Sequence, residues 1–195
     1  MRGKRVNEEI LSMDIPDMTE PAIDWLNNNI KDHWNIFEWG SGASTLWFAN
    51  RCNKIWSVEY FKEFYLRLLT YFEDKEVENV NLEYVAPDGA KDPEYIAKFS
   101  SAKGYSFKAF ALSINKYPDE MFDMIVVDGR ARNKCLHLAI PKLRSGGIIV
   151  YDDTDRLEYK REIYTVNNVF SEIISFPGKK LTTGKDSETT ILRKK

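Results

Sequence analysis

The chain has 195 residues, 43% of them hydrophobic, which is enough for one domain with a substantial core and too few for two ordinary domains. Its formal net charge of −2 provides no global field toward nucleic acid, and no apolar run approaches the roughly 18 residues of a membrane span. We therefore expect a single domain over residues 1–195 that binds neither nucleic acid nor a membrane.

The amino-terminal end is polar, and the two cysteines stand far apart. Residues 1–14 contain no apolar h-region, so we expect no signal peptide. Cys52 and Cys135 match no metal spacing, and we interpret them as reduced thiols in or near the core, with a disulfide as the alternative. These features together indicate a cytoplasmic protein and leave the oligomeric state open.

The first predicted element is a helix that follows Thr19. Thr19 or Glu20 suits the N-cap position, and Pro21 suits the first turn. Apolar residues then recur at helical spacing. We expect residues 1–35 to form an N-terminal helical cap, with a loose arm or a short helix over residues 1–17.

Residues 36–49 predict a strand, a glycine turn and the start of a helix. Gly40 and Gly42 permit a tight turn that a ligand can approach closely, beside the amides of the helix. The dinucleotide pattern G-x-G-x-x-G is incomplete, because its third glycine is replaced by Thr45. The stretch reads E-x-G-x-G-x-S, and an acidic Glu38 beside the turn suits a cationic ligand better than a pyrophosphate. A glycine turn without a ligand is the alternative.

Two further strands are predicted over residues 54–60 and 81–86, with a helix between them. Glu59 lies at the end of the first, 17 residues after Gly42. Doubly wound folds place a carboxylate there that accepts hydrogen bonds from ribose hydroxyls. Tyr60 beside it is placed to pack on an adenine edge, and the alternative is a solvated carboxylate at a strand end.

Residues 90–118 form a long connection for an α/β fold. We expect two helical pieces, over residues 93–99 and 107–115, separated by a polar break at residues 100–104. Long connections with glycine-bearing breaks often serve as lids. The connection is therefore a candidate lid, with a variable surface decoration as the alternative.

A nearly continuous apolar run over residues 122–129 predicts a strand buried on both faces at the centre of the sheet. Asp128, near its end, is expected to point into the crevice at the carboxyl ends of the strands, where open α/β sheets bind ligands. Arg130, Arg132 and Lys134 follow. This basic cluster either recognises an acidic acceptor or balances neighbouring aspartates at a solvated helix start.

Residues 145–153 predict another buried strand. Gly146 and Gly147 are expected to end the helix before it. The strand ends in Asp152 and Asp153, so that it delivers two more carboxylates to the same edge of the sheet.

The chain is expected to close with a helix over residues 159–169 and a hairpin. Its two strands are predicted over residues 170–176 and 189–193. Pro177-Gly178 and a polar loop are expected to join them.

The order and spacing of these motifs resemble the class I S-adenosylmethionine (SAM) dependent methyltransferases, from about residue 36 to residue 192. The resemblance implies an α/β fold: a Rossmann-like, seven-stranded, mostly parallel sheet with helices on both faces in three α/β/α layers, and an antiparallel C-terminal hairpin. It implies SAM as the cofactor, bound by Glu38, Gly40, Ser41, Gly42, Ser44, Thr45, Glu59, Tyr60, Asp88 and Asp128. Asp88 matches the position of an adenine contact, and an ordinary turn aspartate is its alternative.

A narrower resemblance concerns the Val-Asp-Gly-Arg-x-Arg element combined with Asp-Asp. It is similar to a group of bacterial and plant methyltransferases that act on sugars and other small hydroxylated compounds. Enzymes that methylate nucleobase amines carry Asn/Asp-Pro-Pro-Tyr/Phe after the fourth strand, whereas residues 128–131 here are Asp-Gly-Arg-Ala. The resemblance therefore implies an oxygen acceptor on a small molecule, which could be an acidic sugar.

Two mechanisms are open for an oxygen acceptor. In the first, Asp128 or Asp152 acts as a general base, with Arg130 also in the catalytic site. In the second, Asp128, Asp152 and Asp153 hold a divalent cation such as Mg²⁺, Mn²⁺ or Ca²⁺, as the resemblance to catechol-type O-methyltransferases implies. Capping of the next helix, or pairing with Arg156, is the alternative for Asp152 and Asp153.

Two other functions compete with SAM-dependent O-methylation of a small acceptor. Thr45 and the closing hairpin argue against a nicotinamide-dependent oxidoreductase. The intact turn and three acidic strand ends argue against a non-catalytic SAM-fold binding module. The leading prediction requires that Glu38, Glu59 and Asp128 share one rim and face a positively charged methyl donor.

Overall fold

The computed structural model describes residues 15–89, 92–97 and 102–195. Within them, one sheet contains β1 (Asn35–Trp39), β2 (Lys54–Glu59), β3 (Val80–Tyr84), β4 (Phe122–Val127), β5 (Leu143–Tyr151), β6 (Phe170–Lys179) and β7 (Asp186–Lys194). The α-helices are α1 (Glu20–Asn29), α2 (Ala43–Ala49), α3 (Lys62–Asp74), α4 (Lys108–Leu112), α5 (Arg132–Lys142) and α6 (Leu157–Val166). Short 3₁₀ helices span Pro93–Tyr95, Ser113–Lys116 and Asn167–Val169.

The strand order is β3-β2-β1-β4-β5-β7-β6. The first five strands are parallel, and β7 is antiparallel to both of its neighbours. Trp39 at the end of β1 lies opposite Val58 of β2 and Val127 of β4, so the three strands end at the same level. The predicted sheet and its antiparallel closing hairpin are confirmed.

Helices cover both faces of the sheet because the central strands are apolar on both faces. Ile36 packs in one buried cluster with residues of α1 and α2, and Phe37 packs in another with residues of α5 and α6. Adjacent residues of a strand point to opposite faces, so a continuous apolar run needs cover on both sides. The three-layer α/β/α prediction is confirmed.

The glycine pair before β5 does not end the helix. Helix α5 ends at Lys142, β5 begins at once, and the pairing with β4 shifts register before Ile148. Gly146 has φ +73°, and a Cβ on Gly147 would lie 2.8 Å from the carbonyl oxygen of Asp123. The glycines therefore form a bulge inside the strand. Gly146 adopts the left-handed backbone conformation, and Gly147 lets the backbone pack closely against Asp123.

Pro177 and Gly178 also lie inside a strand, contrary to the prediction. They pair with Glu188 and Ser187 in the β6–β7 ladder. Strand β6 is at the edge of the sheet, where proline is tolerated because its missing N–H can face away from the neighbouring strand. The hairpin turn comes later, over residues 180–185.

The long connection is packed against the core where it is described. The first predicted helical piece shortens to the 3₁₀ helix Pro93–Tyr95, and the second becomes α4 followed by a 3₁₀ helix. Phe107 and Phe110 are fully buried. Residues 90–91 and 98–101 lie outside the described residues, as does most of the predicted arm over residues 1–17, and the lid stays a prediction.

No helix within the described ranges combines the length and the apolar character that crossing a membrane requires.

Candidate functional site

The glycine turn after β1 lies against the end of β4. The N–H of Gly40 donates to the carbonyl of Val58 at 2.9 Å, and the N–H of Asp128 donates to the carbonyl of Trp39 at 3.1 Å. Gly40 has φ +93°, and a Cβ there would lie 2.2 Å from the carbonyl oxygen of Asp128. Only glycine fits at this position, for conformation and for space. The sequence prediction of a tight glycine turn is confirmed.

Glu38 lies beneath this turn and is fully buried. Its carboxylate accepts hydrogen bonds from the hydroxyls of Ser44 at 2.5 Å, Thr45 at 2.5 Å and Ser57 at 2.6 Å. Burial raises the pKa of Glu38, and the three hydroxyl donors oppose that rise. In this structure Glu38 supports the turn from below, and its direct contact with a methyl donor stays a prediction.

The other polar side chains of the turn extend the same network. Thr45, which replaces the third glycine, accepts from the N–H of Gly42 at 2.9 Å while it donates to Glu38. The hydroxyl of Ser41 lies 2.6 Å from that of Ser57, which in turn donates to Glu38. The hydroxyls of Ser41, Ser44 and Thr45 thus belong to the network around Glu38, and their contact with a cofactor stays a prediction.

Glu59 is the last residue of β2, the strand that pairs with β1 before the glycine turn, and it is 4% exposed. Its Oε1 accepts from the N–H groups of Tyr60 at 2.8 Å and Phe61 at 2.6 Å, and no described residue donates to Oε2. Burial raises the pKa of Glu59 to about 7, against the lowering effect of the two amides and of Arg130. A carboxylate held by one oxygen leaves the other to accept hydroxyl donors from a ligand.

Tyr60 and Arg130 lie together beside Glu59. The Arg130 guanidinium donates to the Tyr60 hydroxyl at 2.6 Å, and its carbon lies 5.0 Å from the ring centroid. The Tyr60 ring meets Phe107 and Phe110 edge-on. Side chains from β2, the long connection and the segment after β4 therefore converge on one corner of the crevice.

Asp88 has a structural contact in this arrangement. Its Oδ2 accepts from the N–H of Ala109 at 2.8 Å, in the first turn of α4, and its own N–H donates to the carbonyl of Ser106. It therefore fixes the start of α4 on the end of β3. A contact with adenine stays a prediction.

Asp128 is joined to the end of β5 through Arg132. The Arg132 guanidinium lies 2.6 Å from Asp128 Oδ1 and 3.2 Å from Asp153 Oδ2, and it donates to the carbonyl of Asp152 at 2.7 Å. The Asp128 side chain is 24% exposed, and no described residue donates to its Oδ2. Partial burial raises the pKa of Asp128, Arg132 lowers it, and the carboxylates of Asp152 and Asp153 raise it again.

Asp152 does not reach the crevice. It is fully buried, its Oδ1 accepts from Thr189 at 2.7 Å, and its Oδ2 accepts from Lys180 at 2.7 Å. Burial raises the pKa of Asp152, with Lys180 acting in the opposite direction. Of the two predicted general bases, only Asp128 has an oxygen that a substrate could meet.

Protein cations lie between the three aspartates that the sequence predicts as metal ligands. Lys180 lies 2.8 Å from Asp153 Oδ1, and Arg156 lies 2.8 Å from Asp153 Oδ2. Burial alone would raise the pKa of Asp153, but Arg132, Lys180 and Arg156 hold it well below its usual range. Among the described residues no group of three or more His, Cys, Asp or Glu side chains is arranged to hold a metal ion. The side chains present do not fit the predicted divalent cation, because its ligands are already bound to cations of the chain.

The predicted basic cluster is divided by the fold. Arg132 is bound to the aspartates, and Lys134 lies 2.9 Å from Glu94. Arg130 has no carboxylate within ion-pair distance among the described residues, and its Nε is buried without a hydrogen-bond partner. Arg132 and Lys134 therefore follow the alternative interpretation, in which the cluster balances neighbouring acidic side chains. Arg130 remains available for a ligand.

A cavity of about 260 Å³ begins at Gly129, one residue beyond Asp128. It is bounded by the segment after β4, the start of α5, the 3₁₀ helix before α4 and the start of α6. Its lining includes Pro93, Ile96, Arg130, Asn133, Arg156 and Tyr159. Gly129 and Arg130, which directly follow Asp128 in the chain, therefore form part of the cavity wall.

Sequence reasoning missed three residues of this site. Ser57 lies inside β2 and donates to Glu38, while Lys180 and Thr189 come from the closing hairpin and hold Asp152. Ser57 stands at an alternate position of an apolar strand, which is a pattern that could have marked it. Lys180 and Thr189 depend on how the hairpin folds back, which no local pattern reports.

Comparison with known structures gives the fold a class. The chain is similar to a Streptococcus mutans protein in complex with S-adenosylhomocysteine (SAH), with a TM-score of 0.59 and 12% identity over 89% of this chain and 96% of that one. It is similar to the tRNA (m1A58) methyltransferase of Aquifex aeolicus, with a TM-score of 0.60 and 14% identity over 97% of this chain and 76% of that one. It also resembles precorrin-6y C5,15-methyltransferase of Geobacter metallireducens, with a TM-score of 0.55 and 15% identity over 89% and 86% of the two chains.

The protein therefore has the Rossmann-like fold of the class I SAM-dependent methyltransferases. Neither a protein-family model nor a curated protein sequence matches the chain.

Proposed function

We propose that this protein is a SAM-dependent methyltransferase that methylates a hydroxyl group of a small molecule. One observation carries the proposal: Glu59 and Asp128 flank the Gly40 turn, and each presents one carboxylate oxygen that no described residue occupies. The turn lies between β1 and β4, where the strand order reverses and open α/β sheets bind ligands. A carboxylate at Asp128 beside the turn suits the cationic sulfonium of SAM better than the pyrophosphate of a nicotinamide dinucleotide, and Glu59 suits a ribose.

The donor would lie on the Glu59 side of the turn. Oε2 of Glu59 can accept the ribose hydroxyls, Tyr60 offers an aromatic edge, and the backbone at Gly40 permits close approach. When bound, SAM would supply the methyl group as an electrophile on a cationic sulfur. The fold neighbour that contains SAH supports this choice of donor.

The acceptor would lie on the other side of Asp128, in the cavity that begins at Gly129. Oδ2 of Asp128, which accepts no hydrogen bond from a described residue, would take the proton of the acceptor hydroxyl, so that the oxygen can attack the methyl carbon. The cavity volume of about 260 Å³ is below the roughly 300–1,000 Å³ of pockets for drug-sized ligands. A small acceptor fits this space better than a macrocycle.

An acidic group on the acceptor would find its partner in Arg130. This guanidinium lines the cavity and lacks a carboxylate partner among the described side chains. Exchange of Arg130 for Ala should weaken acceptor binding about tenfold or more and leave neutral acceptors unaffected. Unchanged affinity for an acidic acceptor would exclude this role.

Calorimetry with SAH and with NAD⁺ tests the donor. We expect SAH to bind and NAD⁺ not to bind, and E59A to weaken SAH binding about ten- to hundredfold through the loss of charge-assisted hydrogen bonds. E63A, on the exposed face of α3, is the matched control. Binding of NAD⁺ in preference to SAH would assign the protein to the oxidoreductases.

Transfer of a labelled methyl group to a panel of hydroxylated acceptors tests the chemistry. D128N should lower kcat by about 10²–10⁴ and keep the affinity for SAH. SAH binding without transfer to any acceptor would favour a non-catalytic binding module.

A further inference from the structure

We propose that Arg132 and Lys180 take the place of a divalent cation in this site, and that Arg132 positions Asp128. The pair would neutralise and orient the three aspartates, so that Asp128 acts without a metal ligand sphere. The part of the proposal that concerns catalysis by Asp128 rests on the proposed methyl transfer, whereas the substitution of protein cations for a metal does not.

The first argument is the state of the carboxylate oxygens. Both oxygens of Asp152 accept from Thr189 and Lys180 at 2.7 Å. Asp153 meets Lys180 through Oδ1 at 2.8 Å, and its Oδ2 meets Arg132 at 3.2 Å and Arg156 at 2.8 Å.

Oδ1 of Asp128 accepts from Arg132, which leaves Oδ2 of Asp128 as the carboxylate oxygen of these three residues that no described residue donates to. A cation such as Mg²⁺ is usually held by one or two carboxylates, and waters or substrate oxygens complete its octahedron. Here Arg132 is bound to Asp128 and Lys180 is bound to the two neighbouring aspartates, so two fixed positive charges disfavour a further cation at the one unoccupied oxygen.

The second argument is the geometry of Arg132. Its planar guanidinium contacts Asp128, Asp153 and the carbonyl of Asp152, while Nε donates to the carbonyl of Gly129 at 3.2 Å. The ends of β4 and β5 are thereby held by one rigid, permanently charged group that is 8% exposed. A metal ion would serve the same purpose by bridging the same strand ends.

The third argument is the position of Lys180. It comes from the end of the β6–β7 hairpin, is also 8% exposed, and bridges Asp152 to Asp153. Arg132 on one side and Lys180 on the other enclose the two aspartates after β5. Asp128 alone is left at the edge of the network with one oxygen toward the crevice.

Electron paramagnetic resonance of Mn²⁺ tests the proposal on the unmodified protein. We expect no stoichiometric Mn²⁺ binding up to about 1 mM, the range of the weakest cation modules, and the same affinity for SAH with and without chelator. Binding of one Mn²⁺ per chain that D153N abolishes would overturn the proposal. A protein that binds neither Mn²⁺ nor SAH would instead count against the proposed function alone.

Removal of a protein cation gives the complementary test. K180M should bind Mn²⁺ at least tenfold more tightly than the unmodified protein, because two buried carboxylates lose their cation. K179M, whose exposed partner is Asp186, is the matched control and should show no gain.

R132M should gain Mn²⁺ in the same way, and R132K should not, since it keeps the charge. A folded K180M or R132M that gains no Mn²⁺ affinity would overturn the proposal. Should both methionine variants fail to fold, the Mn²⁺ measurement on the unmodified protein decides.

Discussion

Two glutamates at neighbouring strand ends differ because their hydrogen-bond donors differ. Glu38 is surrounded by side-chain hydroxyls that use both of its oxygens, whereas Glu59 is held through one oxygen by two backbone amides. A carboxylate whose donors are all internal stabilises the protein around it. A carboxylate with a free oxygen at the surface of a crevice can bind something else.

The pKa of Glu59 predicts a pH-dependent stability. Burial raises this pKa from 4.5 to about 7, so the protonated form stabilises the fold below pH 4.5 and this contribution is lost as the pH rises through about 7. E59Q cannot ionise, so its stability relative to the unmodified protein should increase by on the order of 3 kcal/mol between about pH 5 and about pH 8.

Urea unfolding of the ligand-free proteins at several pH values measures this difference. Arg130 and Glu38 act on Glu59 electrostatically, and both residues are present in both proteins. Parallel pH curves for the two proteins would show that Glu59 has an ordinary pKa.

Gly40 predicts a severe effect from the smallest substitution. G40A would combine a strained left-handed backbone with a Cβ 2.2 Å from a carbonyl oxygen, at a cost of about 3 kcal/mol or more. G89A is the control, because that Cβ would meet nothing within 4 Å. Denaturant midpoints that fall for G40A and hold for G89A are expected, and an equally stable G40A would contradict the close approach of β1 and β4.

At the scale of elements, the closing hairpin completes the site from a distance. Strands β6 and β7 are last in the chain, yet Lys180 and Thr189 supply both side-chain donors of Asp152. The antiparallel ladder between β5 and β7 sets this contact, because Tyr151 pairs with Thr190. The end of β5 is thereby fixed by residues about 30 to 40 positions away in sequence.

Removal of the Thr189 hydroxyl tests this connection between the end of β5 and the closing hairpin. T189V leaves Asp152 Oδ1 and the N–H of Thr19 without their buried partner, and we expect a loss of about 2 kcal/mol in the free energy of unfolding. T189S keeps the hydroxyl and should recover most of that loss. T70V, on an exposed face of α3, should change stability by less than about 0.5 kcal/mol, and an equal effect of T70V and T189V would contradict the assignment.

At the scale of the whole molecule, one sheet joins two cores. Cys52 lies in the cluster with α1 and α2, and Cys135 lies in the cluster with α5 and α6. Both cysteines are free, as the sequence predicted. Burial raises the pKa of Cys52 to about 12 and raises that of Cys135 as well, so neither thiol is reactive in the native state.

The two thiols therefore report whether the two faces unfold together. C52S and C135S each leave one thiol, and its reaction with an aromatic disulfide can be followed against urea concentration. Because both faces share the central strands, we expect the two thiols to become reactive at the same urea concentration. Earlier reaction of one thiol would show that its layer opens as a separate unit.

Local sequence determined the class of the fold and the residues of the turn. Apolar runs over β1, β2, β4 and β5, separated by helical periodicity, are properties of neighbouring residues, and they predicted the strand sequence and both buried faces. The glycine turn was predictable because a position with positive φ and close backbone packing requires glycine, and the sequence has Gly40 there. The Gly146-Gly147 and Pro177-Gly178 pairs misled the prediction, since a bulge and an edge strand use the same residues as a turn.

Only the tertiary structure decided what the carboxylates do. The sequence placed Glu38, Asp128, Asp152 and Asp153 at strand ends, but a carboxylate is available to a ligand only if no neighbour in space has used its oxygens. Those neighbours include Ser57 from β2 and Lys180 from the turn of the closing hairpin, and the sequence around each aspartate or glutamate does not indicate such long-range pairings. The sequence therefore predicted which carboxylates lie at the carboxyl ends of the strands. Which of their oxygens are hydrogen-bonded within the protein, and which are free to bind a ligand, was decided by the packing of the whole chain.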